Sequence, residues 1–138
     1  MQDADKHDDV PGSGHGFVDA YDAAGNLLSR IASHGPLNSP WGLAFAPPQF
    51  GTSGGDLLVG NFGNGHINVF DPRRGANGEF QSLGPLTTIV GTTLVIQGLW
   101  SLQFGNGHSA GPTTTLFFTA GPFGESHGLF GSIRPLTP

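Results

Sequence analysis

Hydrophobic residues along this chain come in short runs cut by glycine, proline and polar pairs. Trp41–Ala46 is an apolar run stopped by Pro47-Pro48. Asp56–Asn61 and Ile67–Asp71 follow, separated by Asn64-Gly65, and Pro72 and Gly75 turn the chain toward Phe80–Leu83. Runs of this length between turn residues predict β-strands, here four in one antiparallel meander. Trp100–Phe104, Thr115–Ala120 and Leu129–Ile133 repeat the first three. Upstream, Phe17–Asp22 and Leu27–Ile31 form a shorter pair, joined by Ala23-Ala24-Gly25-Asn26. Leu86–Val90 and Leu94–Ile96 are apolar and β-prone, and predict either an extension of the outer strand or a connecting hairpin. Leu57-Leu58-Val59 and Leu116-Phe117-Phe118 do not alternate, so both strands are expected to be covered on both faces.

The runs are copies of one another. Trp41-Gly-Leu-Ala-Phe45 matches Trp100-Ser-Leu-Gln-Phe104, and Leu57-Leu-Val59 matches Leu116-Phe-Phe118, both at an offset of 59. Ile67-Asn-Val-Phe-Asp-Pro72 matches Phe130-Gly-Ser-Ile-Arg-Pro135 at 63, and Val18-Asp-Ala-Tyr-Asp22 matches Ile67-Asn-Val-Phe-Asp71 at 49. Repeats of about 40–60 residues with four strands each, buried on both sides, describe propeller blades. The chain therefore reads as all-β: a β-propeller fragment of about two to three four-stranded antiparallel blades. A two-layer β-sandwich is the alternative. Residues 1–13 read as an acidic N-terminal segment and 14–138 as a partial propeller. Within it, 14–34 is a half blade, 38–96 a complete blade and 97–135 an incomplete one. Starting and stopping within a blade predicts the C-terminal part of a larger propeller, or a protomer that closes its ring with other copies.

The pentapeptide Phe-Gly-Asn-Gly-His occurs at Phe62–His66 and again at Phe104–His108. The two copies lie 42 residues apart, an offset shared by none of the repeats, so they occupy different structural positions. Asn64-Gly65, between two strand runs, predicts a two-residue type I′ hairpin. Asn106-Gly107 predicts a turn opening a polar loop. The glycines of Gly60–Gly65 are not a dinucleotide loop, because a strand and not a helix follows them.

Composition narrows the function classes. Charged residues make up 11% of the 138, while 24 Gly and 11 Pro supply the turns; eleven Phe and two Trp supply core. The net charge is −5, with Lys6, Arg30, Arg73, Arg74 and Arg134 as the fixed positives. No basic stripe is available for phosphates, so nucleic-acid binding is not expected. No run approaches the ~18 apolar residues of a membrane helix. Cysteine is absent, which excludes disulfides and thiolate chemistry and leaves the compartment open. The polar stretch Met1–Asp9 is not a signal peptide.

Pro40-Trp-Gly-Leu-Ala-Phe45, Asp56-Leu-Leu-Val-Gly-Asn61 and His66-Ile-Asn-Val-Phe-Asp71 resemble the NHL-type propeller repeat. With Gln2–Asp9, Gly16-Phe-Val-Asp19, Gly35-Pro-Leu-Asn38 and Thr119-Ala-Gly-Pro122, nearly the whole chain resembles the C-terminal third of a bacterial propeller family of unknown activity. Some members carry exosortase sorting tails, which implies an extracytoplasmic setting for the complete protein. Wider relatives include calcium-dependent lactonases and esterases with a carboxylate and amide site in the central channel. The resemblance puts Asn61 where NHL repeats often hold Asp, as a candidate Ca²⁺ ligand in the complete propeller, with Ala120 at the equivalent place. The rival role for Asn61 is hydrogen bonding within its own turn.

The leading function is a binding or scaffold module without catalysis of its own; part of a metal-dependent lactonase-like hydrolase is the alternative. Trp41 and Trp100 begin equivalent strands and either line a ligand channel or pack between blades. His66, His108 and His127 have imidazoles that suit transition metals but no partner at ligand spacing. Asp3, Asp5, Asp8 and Asp9 lack the spacing, turn glycine and closing Glu of an EF-hand loop. No Gly-x-Ser-x-Gly elbow occurs, and Glu125-Ser126-His127 is adjacency in sequence, which does not make a triad. Expected partners are an unidentified ligand or protein, further blades, or other copies of the chain.

Overall fold

The computed structural model describes residues 2–136, with Arg74 described through its backbone alone; the outermost positions of the 1–13 and 14–138 segments lie outside the described residues. Among the described residues, nine strands form three antiparallel sheets. The first pairs β1 (Phe17–Tyr21) with β2 (Leu27–Ser33). The second is the meander β3 (Pro40–Phe45), β4 (Leu57–Asn61), β5 (Ile67–Arg74) and β6 (Phe80–Pro85). The third is the meander β7 (Leu99–Phe104), β8 (Leu116–Ala120) and β9 (Leu129–Ile133). The described residues are all-β apart from one short 3-10 turn at Gly51–Ser53.

The sequence offsets are reproduced rung by rung in the ladders. Leu43 pairs with Val59 and Phe45 with Leu57; Leu102 pairs with Phe118 and Phe104 with Leu116, each partner displaced by 59. Leu57 pairs with Phe70 and Leu116 with Ile133, which reproduces the offset of 63 on the next strand. The first sheet matches the outer half of the second. Ala20 pairs with Ser29 and Tyr21 with Leu27, skipping Leu28; Val69 pairs with Gly84 and Phe70 with Ser82, skipping Leu83. Even the bulge recurs, so β1 and β2 are the counterparts of β5 and β6.

Strand alternation then builds the core on both sides of the middle sheet. Leu57, Val59 and Phe70 meet Val18, Ile31 and Ala32 of the first sheet. On the opposite face Leu58, Ile67 and Val69 meet Leu99, Leu102, Leu116 and Ala120 of the third. The whole of β4 is buried, as its unbroken apolar run predicts. The matching run in β8 behaves differently. Leu116 is buried, but Phe117 and Phe118 are half-buried, and Phe117 stacks on Phe130 across the open face at 5.7 Å between ring centres.

Two local expectations are corrected. Pro72 does not turn the chain: β5 runs through it to Arg74, and the ladder skips from Asp71–Gln81 to Arg74–Phe80. A proline without an N–H fits such a bulge. Asn64-Gly65 is not a two-residue type I′ hairpin, because Asn64 does not take the positive φ which that turn needs. Phe62–Gly65 is instead a four-residue loop closed by Gly65 N–H to the Asn61 carbonyl (3.0 Å) and Asn61 N–H to the His66 carbonyl (2.8 Å). Between the second and third sheets, Leu86–Ile96 makes a small connecting hairpin with a Thr87–Thr93 bridge and Leu94 N–H donating to the Leu86 carbonyl.

The two pentapeptides do different jobs. Gly65 has φ +72°, and a Cβ there would stand 2.4 Å from the Ile96 carbonyl oxygen. Gly107 has φ +78° in a loop where a Cβ would meet only the Thr113 methyl at 3.4 Å. Asn106 Oδ1 caps that loop by accepting from the His108 and Ala110 N–H groups. Gly107→Ala therefore suffers backbone strain alone, about 1 kcal/mol, whereas Gly65→Ala adds a backbone collision and loses clearly more. Parallel urea titrations of the two variants measure the difference.

Candidate functional site

The first strands of the second and third sheets are adjacent, which brings their tryptophans together. Trp41 and Trp100 line one cleft of about 310 Å³, together with Phe62, Asp8, Asp9 and Glu125. Each residue arrives by a different route. Trp41 and Trp100 are the second residues of β3 and β7. Trp100 lies so close to Gly121 that a Cβ there would stand 2.3 Å from the indole ring. Phe62 follows β4, and its N–H donates to the Ser39 carbonyl at 2.8 Å. Glu125 sits in the loop Gly121–Gly128 between β8 and β9, at a φ of +63° that is uncommon for a non-glycine residue. Its N–H donates to the Gly121 carbonyl.

The acidic segment closes on itself. Gln2 pairs with Asp9, Asp3 N–H donates to the Asp8 carbonyl, and Asp3 Oδ1 accepts from His7 N–H. This places Asp8 and Asp9 on the cleft wall; Asp9 Oδ2 is out of solvent contact with no hydrogen-bond partner among the described residues. The cleft thus joins three aromatic rings to three carboxylates, with no Lys or Arg in its lining. A larger groove of about 510 Å³ runs along β9 past Phe50, Leu86, Ile89 and Leu94, but among the described residues Arg134 is the single charged residue lining it.

Asn61 is elsewhere, fully buried at the end of β4. Its Nδ2 donates to the Pro36 carbonyl at 2.8 Å and to Asn64 Oδ1 at 3.1 Å, and Asn68 Nδ2 reaches the same Pro36 oxygen at 3.2 Å. Asn64 Oδ1 also accepts from His66 N–H. The Asn61 amide therefore ties its own turn to the preceding chain. Its Oδ1 is buried without a partner among the described residues. A hard cation takes six to eight oxygens, and no carboxylate takes part in this network, whose one shared carbonyl already accepts two amides. The described residues around Asn61 do not by themselves supply a Ca²⁺ coordination shell.

The remaining candidates stay apart. His66 Nδ1 lies 3.4 Å from Asn64 Nδ2, while His108 and His127 are exposed. Among the described residues no three His, Cys, Asp or Glu side chains converge to hold a metal ion. Ser126 Oγ donates to the Phe123 carbonyl and lies 2.9 Å from His127 Nδ1. The one hydroxyl proton is shared between two acceptors, and among the described residues no carboxylate hydrogen-bonds His127 to orient it.

No family profile matches the chain, and no solved structure matches it. It is similar to three uncharacterised proteins of Acanthamoeba polyphaga mimivirus, each 35% identical. The matches run over 129, 128 and 109 residues and cover 91%, 90% and 79% of this chain. They cover 30%, 28% and 19% of the viral proteins, so the chain spans less than a third of the curated relatives it matches. These relatives are viral, and the comparison contains no sign of the NHL repeat or of the bacterial origin that the sequence resemblance implies.

Proposed function

We propose that this chain is a run of β-propeller blades acting as a binding module, and that its cleft takes a small organic cation. One observation carries the ligand class: Trp41, Trp100 and Phe62 line one cleft with Asp8, Asp9 and Glu125, without a Lys or Arg among these lining residues. Indole faces attract an ammonium or guanidinium group through their quadrupole, and carboxylates add long-range attraction for the same charge. The rung-by-rung repeat of ladders and bulges across three stacked sheets supports the blade reading. The hydrolase alternative has less to support it, because Asn61 serves its own turn and, among the described residues, no carboxylate orients His127 beside Ser126.

Choline is the test ligand, with its neutral isostere 3,3-dimethylbutanol as control, each followed by amide chemical-shift titration. Choline is expected to shift the resonances of Phe62, Trp100 and Glu125, and the isostere to bind more weakly. Trp100→Ala is expected to weaken choline binding about tenfold and Glu125→Gln about threefold. Equal binding of choline and the isostere, or binding unchanged in both variants, overturns the reading.

A further inference from the structure

One repeat surface occurs twice in this chain, once covered and once bare. Leu102 and Phe104 of β7 pack into the core shared with the middle sheet. Their repeat mates in β3, Leu43 and Phe45, pair with Val59 and Leu57 and so share the face turned toward the first sheet. Leu102 is 5% exposed, yet Leu43 is 49% and Trp41 and Phe45 are each 63%. Topology gives the reason. The first sheet holds only β1 and β2, the counterparts of β5 and β6, so nothing there corresponds to the β3–β4 pair that covers Leu102 and Phe104. The edge of β1 away from β2 also has no neighbour among the described strands; the corresponding edge of β5 is bonded to β4. Bare face and free edge adjoin the existing interface between the first two sheets, through Leu57 and Val59.

The covered copy shows what chemistry fits. The middle sheet turns Gly42, Ala44, Leu58 and Gly60 toward the third. A Cβ on Gly42 would come within 2.8 Å of the Trp100 carbonyl oxygen, and one on Gly60 within 2.8 Å of Leu99. Close approach of the sheets requires small residues there. We propose that Trp41, Leu43, Phe45 and the edge of β1 form a seat for an antiparallel strand pair of this same repeat. The pair turns its glycine and alanine side inward and hydrogen-bonds its second strand to β1. An intact second copy does not fit. Its third sheet brings three strands, and β9, the counterpart of β5, would claim the place that β1 already holds. The viral relatives have more than two thirds of their length outside the matched region, which is room for further repeats. This inference rests on the blade reading proposed above, and its seat shares Trp41 with the cleft.

The test supplies the pair. A copy of residues 36–61 is fused before Gln2, which lies beside the cleft through its pairing with Asp9. The fused segment carries Phe in place of its own tryptophan, and the parent part carries Trp100→Phe, so Trp41 alone fluoresces. Acrylamide quenching of Trp41 is expected to fall severalfold, its emission to shift to the blue, and the β1 amides to gain protection from hydrogen exchange. Gly42→Leu with Ala44→Leu, made only in the fused segment, is expected to reverse all three. Quenching equal to that of the unfused chain overturns the proposal, whether the segment is unfolded or folded elsewhere. Protection of Trp41 that rises with concentration in the unfused chain also overturns it, in favour of self-association. A choline titration of the unfused chain, with both tryptophans present, separates the two readings. Choline binding there, with Trp41 unprotected in the fused chain, removes the seat alone, and the converse removes the cleft ligand alone.

Discussion

Leu102→Ala is expected to lower the unfolding free energy by about 2–5 kcal/mol, whereas Leu43→Ala is expected to change it by less than about 1 kcal/mol. The two leucines hold the same repeat position, each paired with the third residue of the next strand, Phe118 and Val59 respectively. Sequence context alone would give them equal weight. Leu102 is buried among Leu99, Leu116 and Ala120, so truncation leaves a cavity whose lining loses its contacts. Leu43 faces solvent, so truncation removes little that is buried. Chemical denaturation of the two variants measures the difference directly. Comparable losses would mean that the bare face of β3 is covered in solution.

Asn61 carries the second large effect. Asn61→Ala removes both donors of its amide, leaving Asn64 Oδ1 and the Pro36 carbonyl to their remaining partners, and is expected to cost about 1–3 kcal/mol. Asn61→Asp is expected to cost more, about 3–5 kcal/mol, because it buries a charge against a carbonyl oxygen with no cation to pair it. The metal reading makes the opposite forecast, since a carboxylate binds Ca²⁺ better than an amide. Thermal melts of Asn61→Asp with and without millimolar Ca²⁺ decide between them. The expected result is a low melting temperature that Ca²⁺ does not restore.

Strand order and burial were legible wherever chemistry repeats at fixed spacing. The run Leu57-Leu58-Val59 announced a strand covered on both faces, and the offsets of 59 and 63 became ladder registers. The matching run in β8 is covered on one face alone, because among the described residues no sheet lies against the side that Phe117 shares with Phe130. Asn-Gly was read as a two-residue turn, yet the partners of its loop lie in Pro36, Ser39 and Ile96, which no local window contains. The cleft was half legible. Trp41 and Trp100 could be paired from the repeat, but Asp8, Asp9, Phe62 and Glu125 join them from three unrelated segments, with no spacing to link them. Asn61 stood out by position, and its rival role, bonding within its own turn, is the one its hydrogen bonds describe.

The loop between β8 and β9 is four residues longer than its counterpart between β4 and β5, yet the rungs on either side keep their partners. Length can thus vary at this one junction without disturbing the sheets, and the added residues are those that bring Glu125 to the cleft wall. Architecture and ligand preference are written in separate parts of the repeat. A lineage could drift through many loop sequences here, changing what the cleft admits, while the framework that sets both tryptophans on the cleft wall is inherited unaltered.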